Sequence, residues 1–182
     1  VTLLKKADVD FAVMGKTEKC NGDPVRRFGD EYSFFEIAIE NIANINQYSF
    51  DKIVTHCPHC LHTLGKEYRK FEDGAYEVIH HTELLADLLK RDKLKPSQPV
   101  DTTVTYHDPC YLGRHNGIYD IPRQVIDAIP GVKRVEMTKC RDRSFCCGGG
   151  GLMLFYEPVE ETRMGKLRVE MAREAGATII VT

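Results

Sequence analysis

Two cysteines side by side, Cys146 and Cys147, followed by glycine from Gly148 to Gly151, constrain this chain more than any other feature. Adjacent thiols backed by glycines require a turn that brings backbone close to whatever the sulfurs hold. Thirty-five residues separate Cys110 from Cys146, and thirty-five separate Asn21 from Cys57, where Cys57-Pro58-His59-Cys60 begins. The same step from Cys147 lands on position 183, one beyond Thr182. The spacing reads as an internal repeat of the form Cys, Cys-Cys-Gly, Cys-x-x-Cys, offset by 126 residues from Cys20 to Cys146. Its last element falls after Thr182 and its first cysteine before Val1. Lys52-Ile53-Val54-Thr55-His56 leads into Cys57 as Thr178-Ile179-Ile180-Val181-Thr182 leads toward position 183. Both are β-branched runs of the kind that form buried strands. With no starting Met and a strand at its end, the chain is expected to be a fragment of a longer protein, lacking its final Cys-x-x-Cys.

Strands are expected at Val9 to Met14, Lys52 to Thr55, Tyr76 to Ile79, Thr102 to Tyr106, Lys133 to Glu136 and Thr178 to Thr182. Helices are expected over Tyr32 to Tyr48, where Phe35, Ala38, Ile42 and Ile45 share a face, near Leu61 to Lys70, and over Glu83 to Lys90 with Thr82 as N-cap. Two more are expected over Ile121 to Ile129 and from about Val159 to Ala175, the latter stopped by Gly176. Strands alternating with helices imply an α/β fold with parallel sheets, whose ligands gather beyond the carboxyl ends of strands. The predicted architecture is two similar Rossmann-like halves with short parallel sheets, related by a pseudo-twofold. Residues 1–92 form the first cysteine-rich half, 93–99 a proline-bearing linker, and 100–182 a truncated second half, with metal sites near the junction.

A net charge of −2 gives no electrostatic reason to bind nucleic acid, and no apolar run approaches a bilayer's thickness. Seven cysteines, an odd number, in a chain long enough to bury a core favour a reducing compartment and metal or redox chemistry over a disulfide framework. A cytoplasmic location follows.

Two thiolates two residues apart can serve one metal, zinc or iron–sulfur alike. Adjacent cysteines diverge, which suits a cluster offering several irons better than one tetrahedral ion. Cys110, Cys146 and Cys147, joined by a Cys-x-x-Cys beyond Thr182, would make a five-thiolate site, with His107 and the Gly148 amide supporting it. Cys20, Cys57, Cys60 and one upstream cysteine would make a four-thiol site for a cubane cluster or zinc. A Cys-x-x-Cys between strand and helix is also how dithiol oxidoreductases lower a thiol pKa, so a Cys57–Cys60 redox pair is a rival. A zinc-stabilised or metal-free docking domain is a third alternative.

His107-Asp108-Pro109-Cys110-Tyr111-Leu112-Gly113-Arg114, Phe145-Cys146-Cys147-Gly148, Cys20-Asn21-Gly22-Asp23-Pro24 with Arg26-Arg27, and Thr55-His56-Cys57-Pro58-His59-Cys60 resemble one family across nearly the whole chain. It is the cysteine-rich Cys-Cys-Gly domain family, found in the catalytic subunit of heterodisulfide reductase and in iron–sulfur subunits that oxidise glycolate, lactate and glycerol 3-phosphate. The resemblance implies a 4Fe-4S cluster, cubane or non-cubane, and electron relay between a donor, such as an electron-transfer flavoprotein or dehydrogenase subunit, and a quinone or disulfide acceptor. It also implies a parent protein at the cytoplasmic face of the membrane, anchored by another segment. The fragment alone is expected to be inactive and to hold its second cluster poorly or not at all. Asn21 stands where the family's first pair has its second cysteine, which weakens the case for a non-cubane cluster there.

The remaining candidates have plainer readings. His80 and His81 are expected to cap or fill a turn, and Arg26 and Arg27 to lie in surface salt bridges rather than an anion site. His56 and His59 flank thiols as proton shuttles or as solvated loop residues. Gly148 to Gly151 lacks the Lys-Ser/Thr ending of a phosphate loop. Cys140 has no place in the repeat.

Overall fold

The computed structural model describes all residues except 151, 154 and 156–162. The chain divides into two compact units, Val1–Leu94 and Lys95–Thr182. Among the described residues no helix is long and apolar enough to cross a membrane.

The first unit begins with α1 (Thr2–Lys6), α2 (Asp23–Arg27) and α3 (Glu31–Ile45). Asp30 caps α3 by accepting the Ser33 amide at 2.9 Å. Then come β1 (Ile53–Thr55), α4 (Pro58–His62), β2 (Val78–His80) and α5 (His81–Lys90). β1 and β2 pair in parallel with Ile53 opposite Val78. The helical crossover between them continues from α4 through a wide π turn at Thr63–Glu67 and a 3₁₀ turn at Tyr68–Lys70. The core is Phe34, Ala38, Ile42 and Ile45 of α3 against Tyr68 and Tyr76.

Two expectations change on this face. Phe34 is 1% exposed and Phe35 47%, so the buried stripe starts one residue earlier than the periodicity suggested. The close approach of Gly22 sets that register: a Cβ there would lie 2.9 Å from Phe34 Cδ2. Val9 to Met14 forms no strand: it pairs with neither β1 nor β2, none of its residues is buried and Val13 is 70% exposed, so no buried face holds it in the sheet.

The helix after Cys57 starts at Pro58, not near Leu61, since proline preorganises the first helical position. α5 starts at His81 with His80 as its cap, displacing Thr82. The Glu83 carboxylate accepts the His80 amide at 2.8 Å, and the Thr82 hydroxyl donates to His80 Nδ1 at 2.7 Å. The Nε2–H of His80 reaches the His56 carbonyl at 3.2 Å, so this histidine does cap a helix.

The second unit holds β3 (Thr102–Tyr106), α6 (Asp120–Asp127), β4 (Val132–Val135), α7 (Met164–Glu174) and β5 (Ile179–Val181). The sheet order is β4-β3-β5, all parallel, with Val104 between Arg134 and Ile179. Val104, Tyr106 and Ile126 form its core. The start of the helix expected from Val159 lies outside the described residues. Gly176 adopts φ +76° just past α7, the left-handed stop expected of it. The fold is α/β with two small parallel sheets.

The buried Tyr68 hydroxyl donates to the Asn21 carbonyl at 3.0 Å and accepts from Asn41 Nδ2 at 3.0 Å, while Asn41 also reaches the Cys20 carbonyl at 2.8 Å. Tyr68→Phe would leave the Asn21 carbonyl buried without its donor. We expect urea unfolding to show a loss of about 1–3 kcal/mol.

Candidate metal centre

In the first unit, Cys20 lies exposed on the loop before α2, Cys57 is the N-cap of α4, and Cys60 sits in that helix's first turn. The Cys57 thiol is pushed down to about 5, chiefly by the hydrogen bond from the Cys60 thiol. Burial opposes this, and the Cys60 and His59 amides and the His59 charge reinforce it. Cys60 is correspondingly pushed up, first by holding the shared proton, then by burial and the charge on Cys57, with a smaller contribution from Cys20. The pair therefore carries one proton and one thiolate near neutral pH, and Cys20 lies within its field.

Asp23, the first residue of α2 and 4% exposed, ties this loop to the Cys-x-x-Cys helix. It accepts from His59 Nδ1 at 2.7 Å, from Arg27 Nε at 3.1 Å and from the Thr63 hydroxyl at 3.4 Å. Arg26 and Arg27 both pair with Glu67, and Arg26 also with Glu31, so the salt-bridge expectation for these arginines holds.

In the second unit, β3 delivers His107, Asp108 and Cys110 beyond its carboxyl end. The loop bearing Cys110 is stitched to the loop that leads into Cys146. The Ser144 hydroxyl donates to the Asp108 carbonyl at 3.0 Å, the Arg141 amide to Asp108 Oδ2 at 2.7 Å, and Arg114 to the carbonyls of Asp142 and Ser144. Asp108 itself is held by a two-pronged pair with Arg123 at 2.6 and 2.9 Å. Burial pushes the Cys110 thiol up, the Tyr111 amide partly offsets this, and the charges of Cys146 and Cys147 push it further. The three thiols thus share one electrostatic environment. The Cys140 thiol is raised chiefly by burial, then by Glu136 and Asp108, against the pull of Arg123 and Arg141.

The Cys-Cys-Gly turn aims backbone donors at sulfur. The Gly148 amide lies 3.3 Å from Cys146 Sγ and the Gly149 amide 3.4 Å from Cys147 Sγ, with Gly148 at φ +79°. The repeat reappears in this local conformation. Gly22 has φ +81°, and Asn21 Oδ1 accepts the Asp23 amide at 2.9 Å, as Cys147 Sγ accepts that of Gly149. Asn21 keeps the turn with an oxygen in place of sulfur. Its side chain is buried in that role.

These donors fit a thiolate-held iron–sulfur cluster: they are all sulfur, and two carry N–H contacts of the kind that tunes such clusters. Among the described residues no three His, Cys, Asp or Glu side chains converge tightly enough for one metal ion. A cluster is broader than an ion and accepts ligands on different irons, so spread thiols suit it better than they suit one zinc.

The cysteine-rich domain (CCG) family matches residues 1–65 and 104–182. The chain belongs to this family. This Cys-Cys-Gly chain is 43% identical over 178 residues to the probable iron-sulfur-binding oxidoreductase FadF of Bacillus subtilis, an alignment covering 98% of the chain and 25% of that protein. It is 45% identical over 157 residues to the EtfAB:quinone oxidoreductase of Syntrophomonas wolfei, covering 86% of the chain and 22% of that protein. Against a dihydromethanophenazine:CoB--CoM heterodisulfide reductase polypeptide of Methanosarcina barkeri it is 36% identical over 183 residues, covering 98% and 45%. The chain therefore spans about a quarter of the two bacterial relatives and less than half of the archaeal one. No solved structure matches it significantly.

Sequence reasoning missed Asp23, Ser144 and Arg168 as organisers of the site. Asp23 lay inside a motif already singled out, but its partner His59 is far along the chain. Arg168 sits on a charged helix and carried no signal. It donates from Nε to His107 Nδ1 at 2.9 Å, which leaves the imidazole proton on Nε2.

Burial first, then the Arg168 charge, push His107 down to about 4 against a pull from Asp108. Its folded value lies below its unfolded value, so the unfolded chain takes up the proton first. His107 then contributes full stability above about pH 6.5 and loses it as pH falls toward 4, on the order of 3 kcal/mol in all. Asparagine places an oxygen where Nδ1 accepts and does not titrate. Urea unfolding of His107→Asn is expected to fall less steeply than wild type between pH 7 and pH 4.

Asp23→Asn should uncouple His59 from the loop. Iodoacetamide labelling of Cys57 in metal-free protein is expected to slow by less than about twofold at pH 5, since the His59 charge is the smallest of the supports for the thiolate.

Proposed function

We propose that the chain is the cysteine-rich module of an iron–sulfur oxidoreductase. It relays electrons from a reduced donor, an electron-transfer flavoprotein or a dehydrogenase subunit, to a quinone or disulfide acceptor. The observation that carries this is the Cys146-Cys147-Gly148 turn, in which neighbouring amides face both sulfurs beside the field of Cys110. The names of the relatives support it, joining iron–sulfur binding to quinone and heterodisulfide chemistry. A bound 4Fe-4S cluster would supply a delocalised redox centre that changes charge with little rearrangement.

In this reading Cys110, Cys146 and Cys147 hold the cluster together with thiolates from beyond position 182. The Gly148 amide damps charge on Cys146, and His107 fixes the strand-end loop through Arg168. Cys20, Cys57 and Cys60 hold a second group, a cubane cluster or zinc. The functional halves are residues 1–92 and 100–182, joined by 93–99, in a parent protein working at the cytoplasmic face of a membrane.

One observation favours a second reading for the first unit: Cys57 and Cys60 share a proton as the two thiols of a dithiol enzyme do. Anaerobic purification of the full-length protein separates the two. Iron, acid-labile sulfide and a paramagnetic signal abolished by Cys146→Ser or Cys147→Ser are the expected results. Zinc alone would indicate a docking domain. A metal-free protein with a reversible Cys57–Cys60 disulfide would establish the dithiol enzyme.

A further inference from the structure

Among the described residues, Arg168 is a buried cation that hydrogen-bonds to no anion. It is 3% exposed, and its hydrogen-bond partners are His107 Nδ1 at 2.9 Å, the Lys139 carbonyl at 2.7 Å, the Ser144 hydroxyl at 3.4 Å and the Met171 sulfur at 3.9 Å. None carries a negative charge. Asp108, the strongest carboxylate influence on Arg168, already spends its oxygens on Arg123 and the Arg141 amide. Burying a guanidinium among neutral partners is unfavourable, and apolar packing would avoid that cost. Such a residue needs a counter-charge.

Its position says where the counter-charge lies. The first turn of α7 packs on the Cys-Cys-Gly turn: a Cβ on Gly165 would lie 3.1 Å from the Cys147 carbonyl, and one on Gly148 3.1 Å from Met164 Cβ. Arg168 is one helical turn further along, on the face of Met164 and Gly165. Asp108, then Cys140, then Cys147 are the anionic groups acting on it.

We propose that Arg168 is the fixed counter-charge of the anionic thiolate-bound centre at Cys110, Cys146 and Cys147, and that it sets that centre's reduction potential. The proposal rests on the iron–sulfur reading above. Reduction adds one electron and no proton, so a nearby fixed cation favours the reduced form. Arg168 is a tuning residue that acts through its field, and it also holds His107 at the end of β3.

The test uses the full-length protein purified without oxygen, with the signal of this site assigned by its loss in Cys147→Ser. Redox titration of Arg168→Met is expected to lower the reduced-to-oxidised ratio at a given poise at least tenfold, about 59 mV for a one-electron couple. Arg168→Lys, which keeps the charge but loses the planar fork, should stay within threefold of wild type. Thermal melts give a readout apart from redox behaviour. Arg168→Met should lower the melting temperature of the cluster-loaded protein more than that of protein stripped of iron. An unchanged potential, or equal losses in loaded and stripped protein, would mean Arg168 is purely structural and overturns the proposal. A stripped Arg168→Met protein that does not fold would overturn it too. Absence of iron and sulfide from the wild type would instead overturn the iron–sulfur reading, and this proposal with it.

Discussion

A loop that offers thiols to a common centre holds its place only if its own charges are satisfied, and in each unit one buried aspartate meets that requirement. Asp23 takes hydrogen bonds from His59, Arg27 and Thr63, joining the Cys20 loop to the Cys57–Cys60 helix. Asp108, 3% exposed, takes Arg123 and the Arg141 amide, while its carbonyl takes Ser144, joining the Cys110 loop to the approach of Cys146. A buried carboxylate left unpaired is strongly unfavourable, so each aspartate holds its partners firmly. Sulfur geometry follows from those ion pairs more than from the sheets.

The sheets supply the other half of the arrangement. Two or three short parallel strands per unit cannot bury much, so helix α3 and Tyr68 carry the first core, and Val104, Tyr106 and Ile126 the second. What the sheets do provide is direction. Within each unit the parallel strands end on the same side, and there the loop after β1 in the first unit, and the loop after β3 in the second, carries its cysteines. Glycine completes the arrangement at two equivalent turns, Gly22 and Gly148, where the backbone enters the left-handed region. The same turn survives with Asn21 in the cysteine's place because an amide oxygen accepts the next-but-one N–H as a sulfur does.

Much of this was legible in the residues. β-branched runs marked β1, β3 and β5, although Val54, Ile179 and Ile180 are exposed rather than buried as their runs suggested, and the three-and-four spacing of apolar residues marked α3. The failures were equally local in cause. Val9 to Met14 has strand composition but pairs with neither β1 nor β2 and buries none of its residues, and a strand is a pairing rather than a propensity. Phe34 and Phe35 are indistinguishable by type, and only the approach of Gly22 selects the one that turns inward. His80 took the capping position from Thr82 because Glu83 and the His56 carbonyl were both within its reach.

The candidate centre divides in the same way. Cysteine spacing, the adjacent pair and the glycine behind it were sufficient by themselves to indicate the repeat, the candidate ligands and the family, and the alternation of strand and helix patterns to indicate the α/β class, since each depends on residue identity at short or fixed separations along the chain. Tertiary structure alone decided that Asp23 meets His59, that Cys140 lies in the field of Glu136, Arg123 and Asp108, and that Arg168 is buried on the helix packed against the Cys-Cys-Gly turn with no carboxylate hydrogen-bonded to it among the described residues. Those outcomes turn on charges brought together from distant positions inside a low-dielectric interior, where pairing energy is large, and no sequence interval encodes them.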